Sequence, residues 1–380
     1  MDLTQLRQQI DEVDGQIVEL FKTRMALVDG VARYKREHSI PVLHAGREEE
    51  VLDRAAKLAG PELAGASRVL FTTLMDVSKG SQYSQNLPPD SKLLSYRDRA
   101  KEPFVLPSAA RVGCQGVMGA YSSIAARRMF PQPDLRFYRH FADVFDAVDQ
   151  GEIDFGVLPI ENSSAGSVGE VYDLMKAHDF SIAAALKLRI DHCLVAKDSM
   201  DIGKITKVYS HEQGINQCRR LFDEHPHLEP EVFSNTAAAA EFVSKSTDGT
   251  LAAISSKETA ELYGLKILKE NVQDNDFNFT RFIIITKDFV RTADADKISL
   301  SLVLPHRAGS LYHVITRFAV LGLNLTKLES RPIPGRDFEF RFYFDFEGSI
   351  LDDKVLSLLH QLDQQLEYFS FLGNFHEHCR

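Results

Sequence analysis

The chain has 380 residues, enough for two or three domains, and its 44% hydrophobic and 26% charged residues are a globular composition that excludes a disordered or fibrous protein. A formal charge of −10 argues against a general nucleic-acid binder and suits a small anionic molecule held by local basic residues. No apolar run is long enough to span a bilayer, and Met1-Asp2-Leu3-Thr4-Gln5 lacks a signal peptide's basic and apolar regions, so a cytoplasmic protein without membrane contact is expected.

The first element is a helix from about Leu3 to Glu37, stopped by Pro41, with a seam of Leu6, Ile10, Val13, Ile17, Leu20, Leu27 and Val31. Arg24 sits in that seam where a hydrophobe belongs, and a buried cation normally persists only with an anionic partner. Lys35 adds a second cation to nearly the same face, about 16 Å further along the helix, a gap that two long side chains close around a small dianion. Arg7 lies about 25 Å before Arg24 and reaches the same anion only from a second copy of the chain, so the seam predicts an intertwined homodimer. A coiled coil in which Arg24 snorkels to surface carboxylates is the competing reading.

A second helix, Arg47 to Leu58, turns Val51, Leu52 and Ala55 inward and ends at Gly60-Pro61. The third, from near Ala66, carries a stripe of Phe71 and Met75 that turns polar at Ser78 and Gln82. These first 85 or so residues are all helix and too few to bury a core comfortably alone. The Pro-bearing stretch over 91–107 reads as a linker between a helical segment of residues 1–90 and the remainder of the chain.

From 108 to 288 the pattern is α/β, in two lobes. Strands are expected at Phe155–Leu158, Ile182–Leu188, Leu194–Ala196, Val208-Tyr209, Leu251–Ile254 and Phe282–Thr286. Helices are expected at Phe141–Gln150, Val168–Ala177, Gln213–Glu224, Thr236–Val243 and Ser256–Tyr263. The segment 296–380 reads strand (Ile298–Leu304), helix (Ser310–Leu321), strand (Asn324–Ser330), strand (Phe338–Phe346), helix (Ser349–Leu362), strand (Leu366–Leu372), the ferredoxin-like βαββαβ order.

The inward polar residues of the helical segment, Arg24, Lys35, Arg47, Glu48, Ser78 and Gln82, include no good nucleophile and no acid/base pair. Such a set stabilises developing charge without covalent chemistry, as a pericyclic reaction requires. In the middle segment, Pro159-Ile160-Glu161-Asn162-Ser163 places polar groups past a buried strand, where α/β folds bind anions. Gly113 to Ser122 has neither dinucleotide-loop nor P-loop spacing, and by itself is a plain strand-to-helix turn. The four cysteines form no Cys-x-x-Cys pair and the thirteen histidines no His-Glu-x-x-His, so no motif implies a metal or an organic cofactor.

The run Leu6-Arg7, Arg24, Lys35, Pro41-Val42, Arg47-Glu48, Phe71, Ser78, Gln82 resembles the all-helical chorismate mutases. The resemblance implies an interlocked dimer in which Arg7 of one copy joins Arg24, Lys35, Arg47, Glu48, Ser78 and Gln82 of the other around chorismate. Lys35 and Gln82 would hold the ether oxygen, Arg7, Arg24, Arg47 and Ser78 the carboxylates, and Glu48 the ring hydroxyl. His44 stands where the family usually has an aspartate near that hydroxyl, and only a neutral imidazole accepts its hydrogen bond.

Gly116-x-x-Gly119-Ala120-Tyr121-Ser122, Glu161-Asn162-Ser163, Ser210-His211 with Gln217-Cys218, and Thr280-Arg281-Phe282 together look like prephenate dehydratase. That family's domain has two lobes and resembles a periplasmic binding protein. Here the resemblance implies Thr280 as proton donor to the departing ring hydroxyl, with Glu161, Asn162, Ser163, Ser210, Gln217 and Arg281 binding or orienting prephenate. Gly309-Ser310-Leu311 and Glu329-Ser330-Arg331-Pro332, in isolation a helix start and a strand end, resemble the phenylalanine-binding elements of ACT regulatory domains. They imply feedback by L-phenylalanine bound between two such domains, in a homodimer that further pairing would make a tetramer. Two other readings stay open: a non-catalytic amino-acid sensor, and a dehydratase whose helical segment only dimerises.

Overall fold

The computed structural model describes residues 2–38, 40, 45–84, 91–336 and 339–379. Helix α1 (Leu3–Glu37) opens with a reciprocal cap, Asp2 accepting the Gln5 N–H at 2.9 Å while Gln5 accepts that of Asp2 at 3.1 Å, and it closes on Lys35 and Arg36, which favour the negative end of its dipole. Helices α2 (Ala45–Ala59) and α3 (Ala64–Ser84) come next. The stretch expected as a linker instead carries α4 (Lys92–Ala100), with Leu93 and Ala100 buried. The prolines of the stretch, Pro103 and Pro107, follow that helix rather than enter it, so nothing breaks it.

The middle segment begins β1 (Arg111–Gln115), α5 (Tyr121–Met129), β2 (Asp134–Tyr138), α6 (Phe141–Asp149), β3 (Phe155–Asn162), β4 (Gly166–Ser167), α7 (Gly169–Leu174) and β5 (Ser181–Arg189). A second lobe comprises β6 (Cys193–Ala196), β7 (Lys207–Ser210), α8 (Glu212–Asn216), α9 (Arg219–Glu224), β8 (Glu229–Val232), α10 (Thr236–Lys245), β9 (Leu251–Ser255), α11 (Lys257–Tyr263) and β10 (Lys266–Lys269). Strand β11 (Phe279–Thr286) then returns to the first lobe, between β5 and β3 and antiparallel to both. The first sheet runs β5-β11-β3-β1-β2 with β4 beside β3, and the second runs β10-β6-β9-β7-β8, so the chain crosses between lobes twice, after β5 and after β10.

The single helix expected over Gln213–Glu224 is two. Asp274, from the second crossing, accepts the backbone N–H groups of Arg219 at 2.9 Å and Arg220 at 3.0 Å, and so caps a new helix start at α9. Gly119, at φ +88° in the turn before α5, takes a conformation that side chains avoid, and its carbonyl accepts the Thr259 hydroxyl of α11 at 2.7 Å, joining the lobes.

The last segment is β12 (Lys297–Val303), α12 (Ser310–Val320), β13 (Leu325–Pro332), β14 (Phe340–Glu347), α13 (Asp353–Gln365) and β15 (Tyr368–Phe375), in the spatial order β13-β14-β12-β15. A further strand that the sequence reading lacks, β16 (Glu377–Cys379), pairs in parallel with β5 and completes the seven-stranded sheet. The chain forms two compact units, one of residues 1–101 with 297–371, the other of 102–296 with 372–380.

In the first unit the shortage of helical core is met by the last segment. Tyr83 of α3 packs edge-on to His360 of α13 at 5.7 Å, and the Ser357 hydroxyl donates to Gly80 O at 3.4 Å. Helix α4 joins this packing through Tyr96 stacked on Phe371 at 5.4 Å and Arg97 paired with Asp353 at 2.6 Å. The seam of α1 is left in water: Ile10, Val13, Ile17, Leu20 and Leu27 are 57%, 52%, 55%, 70% and 68% exposed.

Candidate functional sites

Arg24 reaches from α1 to α3. Its Nη1 donates to Ser78 Oγ at 2.5 Å and to Leu74 O at 3.1 Å, and burial lowers its pKa below the ordinary arginine value. Ser78 and Gln82, one helical turn apart, are both buried. Lys35 is half-buried; desolvation lowers its pKa, and the nearby charge of Glu48 works the other way. The fold thus assembles cations, a carboxylate and two neutral polar groups on α1, α2 and α3.

Within one copy of the chain two of the expected mutase residues stand apart from this set, and a third is not described. Arg47 is exposed and pairs with Glu50 of its own helix at 2.8 Å, Arg7 is exposed near the far end of α1, and His44 lies outside the described residues.

Two residues that the sequence reading missed extend the set. Lys79 bridges Glu48 and Asp76, at 3.0 Å to each, and Asp76, only 4% exposed, accepts from His313 Nδ1 at 3.1 Å with Arg317 at 3.6 Å. Burial acts to raise the Asp76 pKa, but the His313 hydrogen bond and the Lys79 and Arg317 charges outweigh it and hold the carboxyl below its ordinary value. The i, i+3 spacing of Asp76 and Lys79 was visible in the sequence; their partners on α12, more than 230 residues away, were not.

A cavity of about 350 Å³ borders this network, lined in part by Glu48, Lys79, Ser310, His313 and Arg317. Of the elements expected to bind phenylalanine, Ser310 lines it, Gly309 caps α12 at φ +85°, and Leu311 is half-buried. Glu329, Ser330, Arg331 and Pro332 lie at the end of β13, with Glu329 and Arg331 the less exposed pair. The ends of β12 and β13 share one edge of the sheet with β14 between them, about 10 Å apart.

In the second unit Asn162 is the centre of a buried amide network. Its Oδ1 accepts the N–H groups of Ser164 at 3.0 Å and Ala165 at 2.9 Å, which turns Nδ2 toward Thr280 Oγ1 at 2.9 Å, Asn278 Oδ1 at 3.0 Å and Phe279 O at 3.2 Å. Nδ2 can only donate, so Thr280 accepts in that bond and keeps its own hydrogen to give. Asn278 donates to Gln217 Oε1 at 2.9 Å, and the same oxygen lies 3.1 Å from His192 Nε2, which must therefore carry the hydrogen. His192 is 2% exposed, and burial lowers its pKa. A cleft of about 810 Å³ opens beside this network, lined by Ser163, His211, Gln213, Gln217, Arg219 and Asn278 among others.

Ser163 holds its loop to the strand, donating to Phe277 O at 2.8 Å and accepting the Phe279 N–H at 2.9 Å. Ser210 is not at the cleft surface. It is fully buried, its hydroxyl donates to Ile254 O at 2.9 Å, and a Cβ at Gly214 would come within 2.7 Å of Ser210 Oγ, so the pair fixes the start of α8. Arg281 and Glu161 are register partners one residue along from Thr280 and Asn162, so strand alternation turns them to the opposite face, where Arg281 pairs with Glu377 of β16. Among the described residues neither site contains a cluster able to ligate a metal.

Both halves have known counterparts. A family model of chorismate mutase type II matches residues 6–83, and one of prephenate dehydratase matches residues 112–289. The chain is 30% identical over 379 residues to a bifunctional chorismate mutase/prephenate dehydratase of Escherichia coli K12, across 98% of this chain and 95% of that one. A solved prephenate dehydratase of Arthrobacter aurescens in complex with L-Phe has a TM-score of 0.64 at 27% identity, covering 70% of this chain and 89% of its own. A solved quorum quenching acylase has a TM-score of 0.63 at 29% identity, covering 70% and 97%. Since one fold hosts different chemistries, it is the match of both segments along one polypeptide that decides. The chain belongs to the family of bifunctional chorismate mutases/prephenate dehydratases.

Proposed function

We propose that the mutase site is shared between two copies of the chain and that Thr280 is the acid of the dehydratase cleft. The chain rearranges chorismate to prephenate and converts prephenate to phenylpyruvate, two steps of phenylalanine biosynthesis. In the first, Arg24, Arg47 and Ser78 of one copy and Arg7 of the other hold the two carboxylates, Lys35 and Gln82 meet the ether oxygen as its bond breaks, and Glu48, with His44 beside it, takes the ring hydroxyl. No covalent intermediate is needed, because preorganised donors track the developing charge. The exposed seam of α1 supports the dimer: five large apolar side chains at half exposure or more on one helix call for a matching face.

In the second step the Thr280 hydroxyl gives its proton to the departing ring hydroxyl, which leaves as water. The bond to the ring carboxylate breaks, its electron pair enters the ring, and carbon dioxide is released. A threonine hydroxyl is a weak acid, and the Asn162 Nδ2 donor at 2.9 Å offsets this by stabilising the alkoxide left behind. That contact is the observation that carries the assignment. Asn162 and Gln217 orient the site, Ser163 shapes its rim, and Arg281 with Glu161 acts from behind the strand.

On this reading residues 1–90 form the mutase, 108–288 the dehydratase and 296–380 an ACT regulatory domain. L-phenylalanine, present in the solved relative, binds between copies at Gly309–Leu311 and Glu329–Pro332 and inhibits. Among the described residues no helix is long and apolar enough to cross a membrane, which supports a cytoplasmic location. The test supplies chorismate to a Thr280→Ala variant and measures prephenate and phenylpyruvate separately. Prephenate accumulates and phenylpyruvate does not form; phenylpyruvate at the wild-type rate would move the acid elsewhere.

A further inference from the structure

We propose that Asp294, His376 and His378 form a binding site for a divalent transition metal, zinc foremost, that ties the carboxy-terminal strand to the loop before β12. One ligand atom from each of the three lies within 4.8 Å of the other two. The two imidazoles stand nearly perpendicular, at 85° with centroids 4.9 Å apart, and so present edges rather than a stack. A tetrahedral zinc ion with bonds of about 2.0–2.1 Å holds its ligand atoms about 3.3 Å apart, so small side-chain rotations complete the site. Imidazole and carboxylate together suit zinc better than calcium or magnesium, and the half-exposed setting leaves a fourth position for water.

The outer contacts make this more than a chance cluster. His376 Nδ1 lies 3.1 Å from Asp296 Oδ1, a carboxylate–histidine pair that fixes the tautomer with the lone pair on Nε2. The backbone is held on both sides: Ala185 N–H donates to His376 O at 3.0 Å, and Asp296 N–H donates to Phe375 O at 3.2 Å. Alternation along β16 turns Glu377 the other way, onto Arg281, so the strand carries the metal ligands on one face and an ion pair on the other. Both faces anchor β16 to the sheet that holds Thr280.

The experiment titrates the full-length chain with Zn²⁺ against a chromophoric chelator, and with Co²⁺ while recording the visible bands of a four-coordinate ion. One ion per chain is expected. His378→Ala and Asp294→Ala abolish that stoichiometric binding. Asp296→Asn, which removes no ligand, weakens it about 10–100-fold. Cys379→Ser leaves it unchanged, because Cys379 shares the face of Glu377. Far-ultraviolet circular dichroism of each variant shows that it is folded. No binding by the wild type, or binding that survives His378→Ala, overturns the proposal, and full affinity in Asp296→Asn overturns the role given to the outer carboxylate.

Discussion

Replacing Asn162 by Asp changes one atom pair and inverts the chemistry offered to Thr280. The side chain keeps its shape, and its Oδ1 still accepts from Ser164 and Ala165. The amino group, which donates to Thr280 Oγ1, Asn278 Oδ1 and Phe279 O, becomes an oxygen facing three acceptors. An ionised carboxylate there draws the Thr280 hydrogen toward itself, away from the leaving hydroxyl, and opposes the alkoxide that must form. Loss of one preorganised donor to a developing oxyanion costs about 10²–10³ in kcat, or about 2.7–4 kcal/mol. Dehydration of prephenate, monitored by the absorbance of phenylpyruvate, should fall by that factor with KM changed far less, and mutase turnover of chorismate should stay at the wild-type rate. A dehydratase kcat within about threefold of wild type would refute the role of Asn162, since that corresponds to less than 1 kcal/mol.

Burial keeps His192 neutral in the folded chain, whereas in the unfolded chain it takes up a proton below about pH 6.5, so its contribution to stability is complete above that pH and is lost as the pH falls toward its lowered folded value. Urea midpoints measured between about pH 7 and pH 5 should fall less steeply in His192→Gln than in wild type, and equal slopes would contradict this. Asp76→Ala takes the carboxylate from the buried Arg317 guanidinium, while Lys79 keeps Glu48, and should lower the stability of its unit by about 3–5 kcal/mol in urea denaturation; a loss under about 1 kcal/mol would mean that water already screens the cluster.

The range of the forces involved decides which features the sequence reveals. The seam of α1 and the polar turn of α3 obey the helical period, which acts over a few residues, whereas the meeting of Arg24 with Ser78, 54 residues apart, was implied only by the resemblance; the βαββαβ order is punctuated locally by Gly309 and by Asp352, which caps α13. The break between α8 and α9 was hidden because the capping Asp274 arrives from 55 residues downstream. Strand β16 was missed because three residues carry no periodic signal, and its pairing with β5 spans almost two hundred positions. Ser210 was misplaced for a different reason: a serine at the end of a strand looks the same in sequence whether its hydroxyl meets a substrate or the carbonyl of Ile254. Asn162 was expected to bind or orient substrate, and its direct bond to the Thr280 hydroxyl was not legible because the two meet only through the pairing of β3 with β11, 118 residues apart.

The shared mutase site is tested most directly by mixing two variants that are each inactive. Arg7→Ala and Arg24→Ala should both lose mutase turnover and keep dehydratase activity. Co-expressed in equal amounts, they pair so that about half of the dimers are mixed, and each mixed dimer has one site with both arginines and one with neither. A site built from two chains predicts recovery of about a quarter of the wild-type mutase rate in the mixture. A mixture no more active than the sum of its two parents would contradict it.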